Sequence, residues 1–358
     1  MAKLNRRRLL FTGFSAGLTS TAIASSVQAQ TTQPSAPESR SPARDDSIDA
    51  IFGPEGDESR RPPAPLALPQ PTVSYDRALS KLLIRCSRLG MEQFDRGQRD
   101  PRYNGSIQLL DGYSRDLDSY RQVGTFTVTL DATTTLLPNL GDLGNRILRR
   151  IIPPTRVFIG FALASDTHNL IVFRGTSNPK EWIANLQARQ SDYVQGGVTR
   201  GRVHTGFLRL SEQLTTQVRS VVNQLNPALP CLIAGHSLGG ALATLTTADL
   251  AQTNAVLRPQ LRLYTYAAPR VGDTGFVQFL SAIAPNNFRV INLADMVPMV
   301  PPAGLGDQQY RHAGQEWIFL DYADGDISTT HTITRYQAAI EQRIETSQMP
   351  TFPTACQG

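Results

Sequence analysis

Cysteine is scarce, with three residues at positions 86, 231 and 356 of a 358-residue chain. An odd set cannot form a closed disulfide framework. No CxxC pair and no His-rich tract has metal-ligand spacing, so no metal site is expected. Cys231 opens an apolar run and reads as a small buried hydrophobe. A single Cys86–Cys356 pair is the alternative that an oxidising compartment allows. Long apolar runs are also missing. The stretch over residues 1–29 is too short, and too rich in Ser, Thr and Gly, to span a membrane well. No internal repeat is visible. The formal net charge is +5, and four of the positive charges, Lys3, Arg6, Arg7 and Arg8, sit at the extreme N-terminus with no acidic residue before position 30. Taking those four away leaves about +1, too little to argue for nucleic acid as a partner.

Residues 1–29 have the layout of an export signal: a positive start, the weakly apolar "LLFTGFSAGLTSTAIA", and "VQA" as a small-residue cleavage site after Ala29. "RRRLLF" resembles a twin-arginine signal, with an ordinary secretory signal as the alternative. The expected destination is periplasmic or extracellular. Residues 30–74 are rich in Pro, Ser, Arg and Asp. They bury too little apolar surface to offset the entropy of ordering and read as a linker. The folded domain is expected over residues 75–358.

Within that domain "YDRALSKLLIRCSRLGMEQF" has helical spacing, "TFTVTL" reads as a strand, and "LLPNLGDLGNRILRRIIPP" as a short helix in an insertion. From Arg156 the pattern is regular. "RVFIGFALA" and "NLIVFRG" form a hairpin around "SDTH". Next come a helix from "HTGF", the strand "PCLIAG", the helix "LGGALATLTTADLAQ", the strands "QLRLYTYAAP" and "FRVINLA" with helix-like "GFVQFLSAIA" between them, the strand-like "EWIFL" and a last helix "TRYQAAIEQRI". Strands alternating with helices imply an α/β fold with a mostly parallel central sheet and helices on both faces. Sites in that class lie beyond the carboxyl ends of the strands.

At one such end stands Gly235-His236-Ser237-Leu238-Gly239, a G-x-S-x-G match between a strand and a helix, as a nucleophile elbow requires. A serine hydroxyl needs a neighbouring base to become a nucleophile, and on this architecture the order is Ser, acid, His. Asp295 ends the run "RVINLAD" and fits the acid, whereas Asp321, Asp324 and Asp326 read as solvated loop carboxylates. His331, in a loop before the last helix, is favoured as the base over His312, which leads directly into "EWIFL". His168 falls in a hairpin turn, His204 precedes the serine, and the ring of His236 should point away from it. An oxyanion needs positioned donors. The backbone N–H of Leu238 is one, and Thr176 in "IVFRGTS" offers a backbone N–H and a hydroxyl, or is only a strand-end turn.

Several stretches in order, "IVFRGTSNPKEWIANL", "VHTGF", "GHSLGGALA", "TYAAPRVGD", "FRVINLADMVPMVPP", "YRHAGQEW" and "HTITRY", together resemble the fungal-type class 3 lipases of the α/β-hydrolase superfamily. The resemblance covers Val157 to Tyr336 strongly and the first seventy residues not at all. It implies Ser237 as nucleophile, Asp295 as acid, His331 as base and Thr176 with Leu238 as oxyanion donors, and places His312 in a structural "H-x-G" segment. It also implies a lid at "SNPKEWIANL", with Trp182, Ile183 and Leu186 on one helical face, where a packed surface helix is the alternative reading. Ala267 and Ala268 stand where that family more often has Gly and Ser. The implied activity is hydrolysis of lipid carboxylic esters through an acyl-enzyme, first of all as a triacylglycerol lipase. The alternatives are a carboxylesterase, phospholipase A1 or galactolipase, and a non-catalytic lipase-like binding protein. The implied partner is a lipid ester at a lipid–water interface, with no stable protein partner.

Overall fold

The structure, a computed structural model, describes residues 68–130, 155–176, 188–322 and 327–342. All of them lie within one compact unit, Leu66–Gly358. The expected export signal, the predicted insertion helix, the candidate lid residues Trp182, Ile183 and Leu186, and Cys356 fall outside the described residues. Cys86 and Cys231 are free and buried, and burial pushes each thiol up to about 12.

Strand β2 (Thr155–Ala164) pairs antiparallel with both β1 (Arg121–Leu130) and β3 (Asn169–Phe173). The chain then makes a separate antiparallel pair, β4 (Gln190–Gln195) and β5 (Val198–His204), that the apolar spacing did not announce. It returns to the sheet at β6 (Cys231–His236), β7 (Leu261–Tyr266) and β8 (Asn287–Asn292). After a small ladder of β9 (Gly304–Leu305) and β10 (Gln308–Gln309), β11 (Gln315–Phe319) closes the sheet. The seven strands are ordered β1-β2-β3-β6-β7-β8-β11, and every pairing from β3 onward is parallel. Parallel neighbours need crossovers, and helices α2 (Thr205–Val222), α3 (Leu238–Thr253) and α4 (Thr274–Ile283) supply three of them. Helices α1 (Arg77–Arg99) and α5 (Ile333–Glu341) flank the series.

The period-two alternation of each strand divides the core in two. Leu170 and Val172 of β3 and Leu232 and Ala234 of β6 pack with Leu83 and Ile84 of α1 and Tyr336 and Ile340 of α5. Ile171, Phe173 and Ile233 face the other way, toward Phe207 of α2 and Ala241 and Leu242 of α3. Because both faces are covered, these strands read as continuous apolar runs rather than alternating ones. α3 is buried on every side from Leu238 to Ala251, which explains why "LGGALATL" has no polar face. Its buried hydroxyls bond back along the helix, Thr244 to Gly240 O and Thr247 to Ala243 O, both at 2.8 Å. Asp76 caps α1 by accepting from Leu79 N–H. The carboxyl ends of β3, β6 and β8 therefore lie side by side on one edge, and the segments following them build the site.

Candidate active site

The turn from β6 to α3 is too tight for an ordinary backbone. Ser237 has φ 58° and ψ −126°, a region that costs a residue with a Cβ on the order of 1–3 kcal/mol. A Cβ on Gly235 would overlap the backbone of Gly239, so the turn closes only with glycine there. Ser237 N–H donates to Tyr266 O of β7 at 2.9 Å, which ties the strained residue to the sheet. The Oγ is thus held at the head of α3, where helix geometry leaves the first N–H groups, including that of Leu238, without intrahelical acceptors.

Three segments converge on this serine. His331 follows a short helical turn, Ile327–Thr330, and its Nε2 is 2.9 Å from Ser237 Oγ. Its Nδ1 is 2.8 Å from Oδ2 of Asp295, which lies beyond the end of β8. A carboxylate only accepts, so Nδ1 carries the proton and Nε2 is left to accept from the serine hydroxyl. Ser237 has no exposed surface, and Asp295 and His331 are each 3% exposed. Asp295 also accepts from Tyr336 OH on Oδ2 at 2.7 Å and from Val297 N–H on Oδ1 at 2.9 Å. Burial, then the charge of Asp295, holds the Tyr336 phenol well above its ordinary value, so it stays a donor.

Two residues of this network were not singled out by sequence reasoning. Tyr336 lies five positions after His331 on the first turns of α5, a pairing visible only once the helix is docked. Asn292 ends β8 and donates to Asp321 O and Thr330 O while accepting from Asp321 N–H, binding the acid-bearing loop to the histidine-bearing one.

The remaining candidates sort by their partners. His312 donates from Nε2 to Pro298 O at 2.7 Å, and burial, then Arg289 and Arg270, push its pKa well down. Asp321 is held by Arg335 at 2.7 Å. His204 caps α2, accepting on Nδ1 from Gly206 and Phe207 N–H, and His168 sits by Thr167 in its turn. His236 turns back over the site: its ring lies 4.8 Å from that of His331, and burial, then His331, keep it neutral well below the usual histidine range. Thr176 follows β3, whose Phe173 pairs in parallel register with Gly235 of β6. Gly175 therefore lies against the elbow, and a Cβ there would fall 2.8 Å from His236 O and 3.1 Å from Ser237 Cβ. Chemically, the arrangement offers a hydroxyl, a base to take its proton and a buried carboxylate behind that base, with N–H groups at a helix start alongside.

The family model described as Lipase (class 3) matches residues 170–305. The chain is 37% identical across 155 residues to a lipase of Rhizomucor miehei, covering 42% of this chain and 41% of that protein. It is 33% identical across 188 residues to secreted mono- and diacylglycerol lipase 1 of Fusarium solani, covering 50% and 52%.

Over this span the chain is similar to the class 3 lipases.

The chain spans about half or less of the length of these relatives. The fold extends further than the sequence match: the solved triacylglyceride lipase of Rhizomucor miehei superposes with a TM-score of 0.50 at 25% identity over 69% of this chain and 82% of that one. The architecture is thus the α/β-hydrolase fold of the class 3 lipases. The family match holds Thr176, Ser237, Leu238 and Asp295 but stops before His331 and Tyr336. Ala267 takes φ 51°, a left-handed conformation that alanine adopts at a cost.

Proposed function

We propose that the protein is an exported serine hydrolase that cleaves carboxylic esters of lipids, with glycerides as its substrates. The observation that carries this reading is the unbroken hydrogen-bonded chain Ser237–His331–Asp295 set on a strained strand-to-helix turn. His331 takes the serine proton as Oγ adds to the ester carbonyl, and Asp295 holds the imidazole in the required tautomer and stabilises its charged form. The backbone N–H groups of Leu238 and Thr176 receive the oxyanion, each such donor being worth about a hundred- to a thousand-fold in rate. His331 returns its proton to the leaving alcohol. Water, deprotonated by the same imidazole, then releases the fatty acid. No metal or organic cofactor enters these steps.

The names of the two relatives, a lipase and a secreted mono- and diacylglycerol lipase, support glycerides as the substrate class and export as the destination. The candidate lid is the segment with Trp182, Ile183 and Leu186, and a lid predicts interfacial activation. Initial rates on p-nitrophenyl butyrate, diolein, triolein, phosphatidylcholine and a galactolipid test the substrate class. The glycerides should turn over fastest, with a rise in rate above their solubility limit. Faster turnover of the phospholipid or galactolipid would reassign the substrate. Ser237→Ala should lose at least about 10⁴-fold in kcat, and retained turnover would overturn the reading.

A further inference from the structure

Arg174 is 5% exposed, and none of the described carboxylates forms an ion pair with it. A buried cation is costly unless something nearby takes its charge, so its surroundings are informative. The guanidinium lies 3.6 Å over the ring of Phe94 from α1. Its Nε donates to Phe158 O of β2 at 3.2 Å, and its Nη1 donates to the carbonyl of the very next residue, Gly175, at 2.6 Å. The Arg174 backbone is itself pinned to β2, its N–H donating to Ile159 O at 2.9 Å. Burial lowers the guanidinium to about 10, which leaves it charged at neutral pH.

We propose that Arg174 is a positioning residue for the oxyanion site: by gripping the Gly175 carbonyl it fixes the peptide plane that carries the Thr176 N–H. The inference rests on the reading of Ser237 as the nucleophile. A trans peptide is planar, with its C=O and N–H pointing in opposite directions, so restraining one aims the other. The restraint is needed because of Gly175. Contact with His236 O and Ser237 Cβ excludes a side chain there, and a residue without a Cβ leaves the following peptide free to rotate. Glycine lets the loop approach the serine, and Arg174 removes the freedom that glycine brings. Gly90 of α1 sits against the same arginine, a Cβ there falling 3.2 Å from Arg174 Cβ, so the helix backs the side chain as well.

The test compares Arg174→Met and Arg174→Lys with the wild type on p-nitrophenyl butyrate, with active sites counted by titration, and measures the affinity of an alkyl boronic acid that mimics the tetrahedral intermediate. Misplacing one donor should cost less than removing it, so Arg174→Met should lose about 10- to 100-fold in kcat per active site with KM within about twofold. Boronate affinity should fall by the same factor, and Arg174→Lys, which keeps the charge but not the planar fork, should recover part of the loss. If Arg174→Met fails to fold, Phe94→Leu, which removes the stacking face, should show a smaller loss with the same proportionality. A merely structural role would lower the melting temperature and the titratable fraction while leaving kcat per site and boronate affinity unchanged, and that result overturns the proposal. Ser237→Ala separates the two readings. If it retains turnover, the nucleophile assignment and the Arg174 role fall together; if it is inactive while the arginine variants match wild type per site, only the Arg174 role falls.

Discussion

A buried carboxylate must have its oxygens satisfied, and Asp295 meets that demand with donors from His331, Tyr336 and Val297. Tyr336 has two jobs, since its oxygen also accepts the Asn292 N–H at 3.0 Å. Tyr336→Phe removes both bonds and leaves a lone pair of Asp295 and the Asn292 N–H unmet. Hydrogen bonds to charged groups are worth about 1.5–3 kcal/mol, so the variant should lose about 2 kcal/mol in urea unfolding and about tenfold in kcat/KM. Unchanged activity would mean that Asp295 does not depend on the phenol for its alignment. Ser237, Asp295 and His331, which the structure joins by hydrogen bonds, could be singled out in the sequence because the roles proposed for them demand particular residue types in a particular order. Tyr336 and Arg174 could not, because tyrosines and arginines serve many purposes and only their contacts distinguish these two.

At the scale of the element, the β6–α3 turn places its serine at the expense of backbone strain. The strain belongs to the Cβ, so it can be measured without the reaction. Ser237→Ala keeps the Cβ at φ 58°, whereas Ser237→Gly removes it. Relief of about 1–3 kcal/mol is offset by about 0.5–1 kcal/mol of added unfolded-chain entropy. The glycine variant should therefore be the more stable of the two by about 1 kcal/mol in chemical denaturation. Equal stabilities would argue that the turn is relaxed. The apolar periodicity announced the sheet strands and α1 to α5 because each buries a face or a whole run. It was silent on β4 and β5, whose "QSDYVQGGVTRGRVH" is polar and buries little beyond Tyr193, Val203 and His204. Where a strand lies off the main sheet, hydrophobic pattern carries little information.

Across the whole molecule, two cores clamp a sheet whose parallel part ends on one edge, and Ser237, Asp295 and the Thr176 loop all lie beyond the carboxyl ends of its strands. The histidine comes from the far end of the chain, outside the family match, and Asn292 and Tyr336 bind its segment to the end of β8. The relation between these distant segments is a matter of docking, so position along the chain could favour His331 over His312 but could not give its partners. Reaction with a fluorophosphonate probe, followed by mass mapping of the modified peptide, tests the central claim most directly. The account predicts one adduct on Ser237, absent in Ser237→Ala, strongly slowed in His331→Ala and little changed in His312→Ala. An adduct on another residue, or equal labelling of wild type and Ser237→Ala, would contradict it.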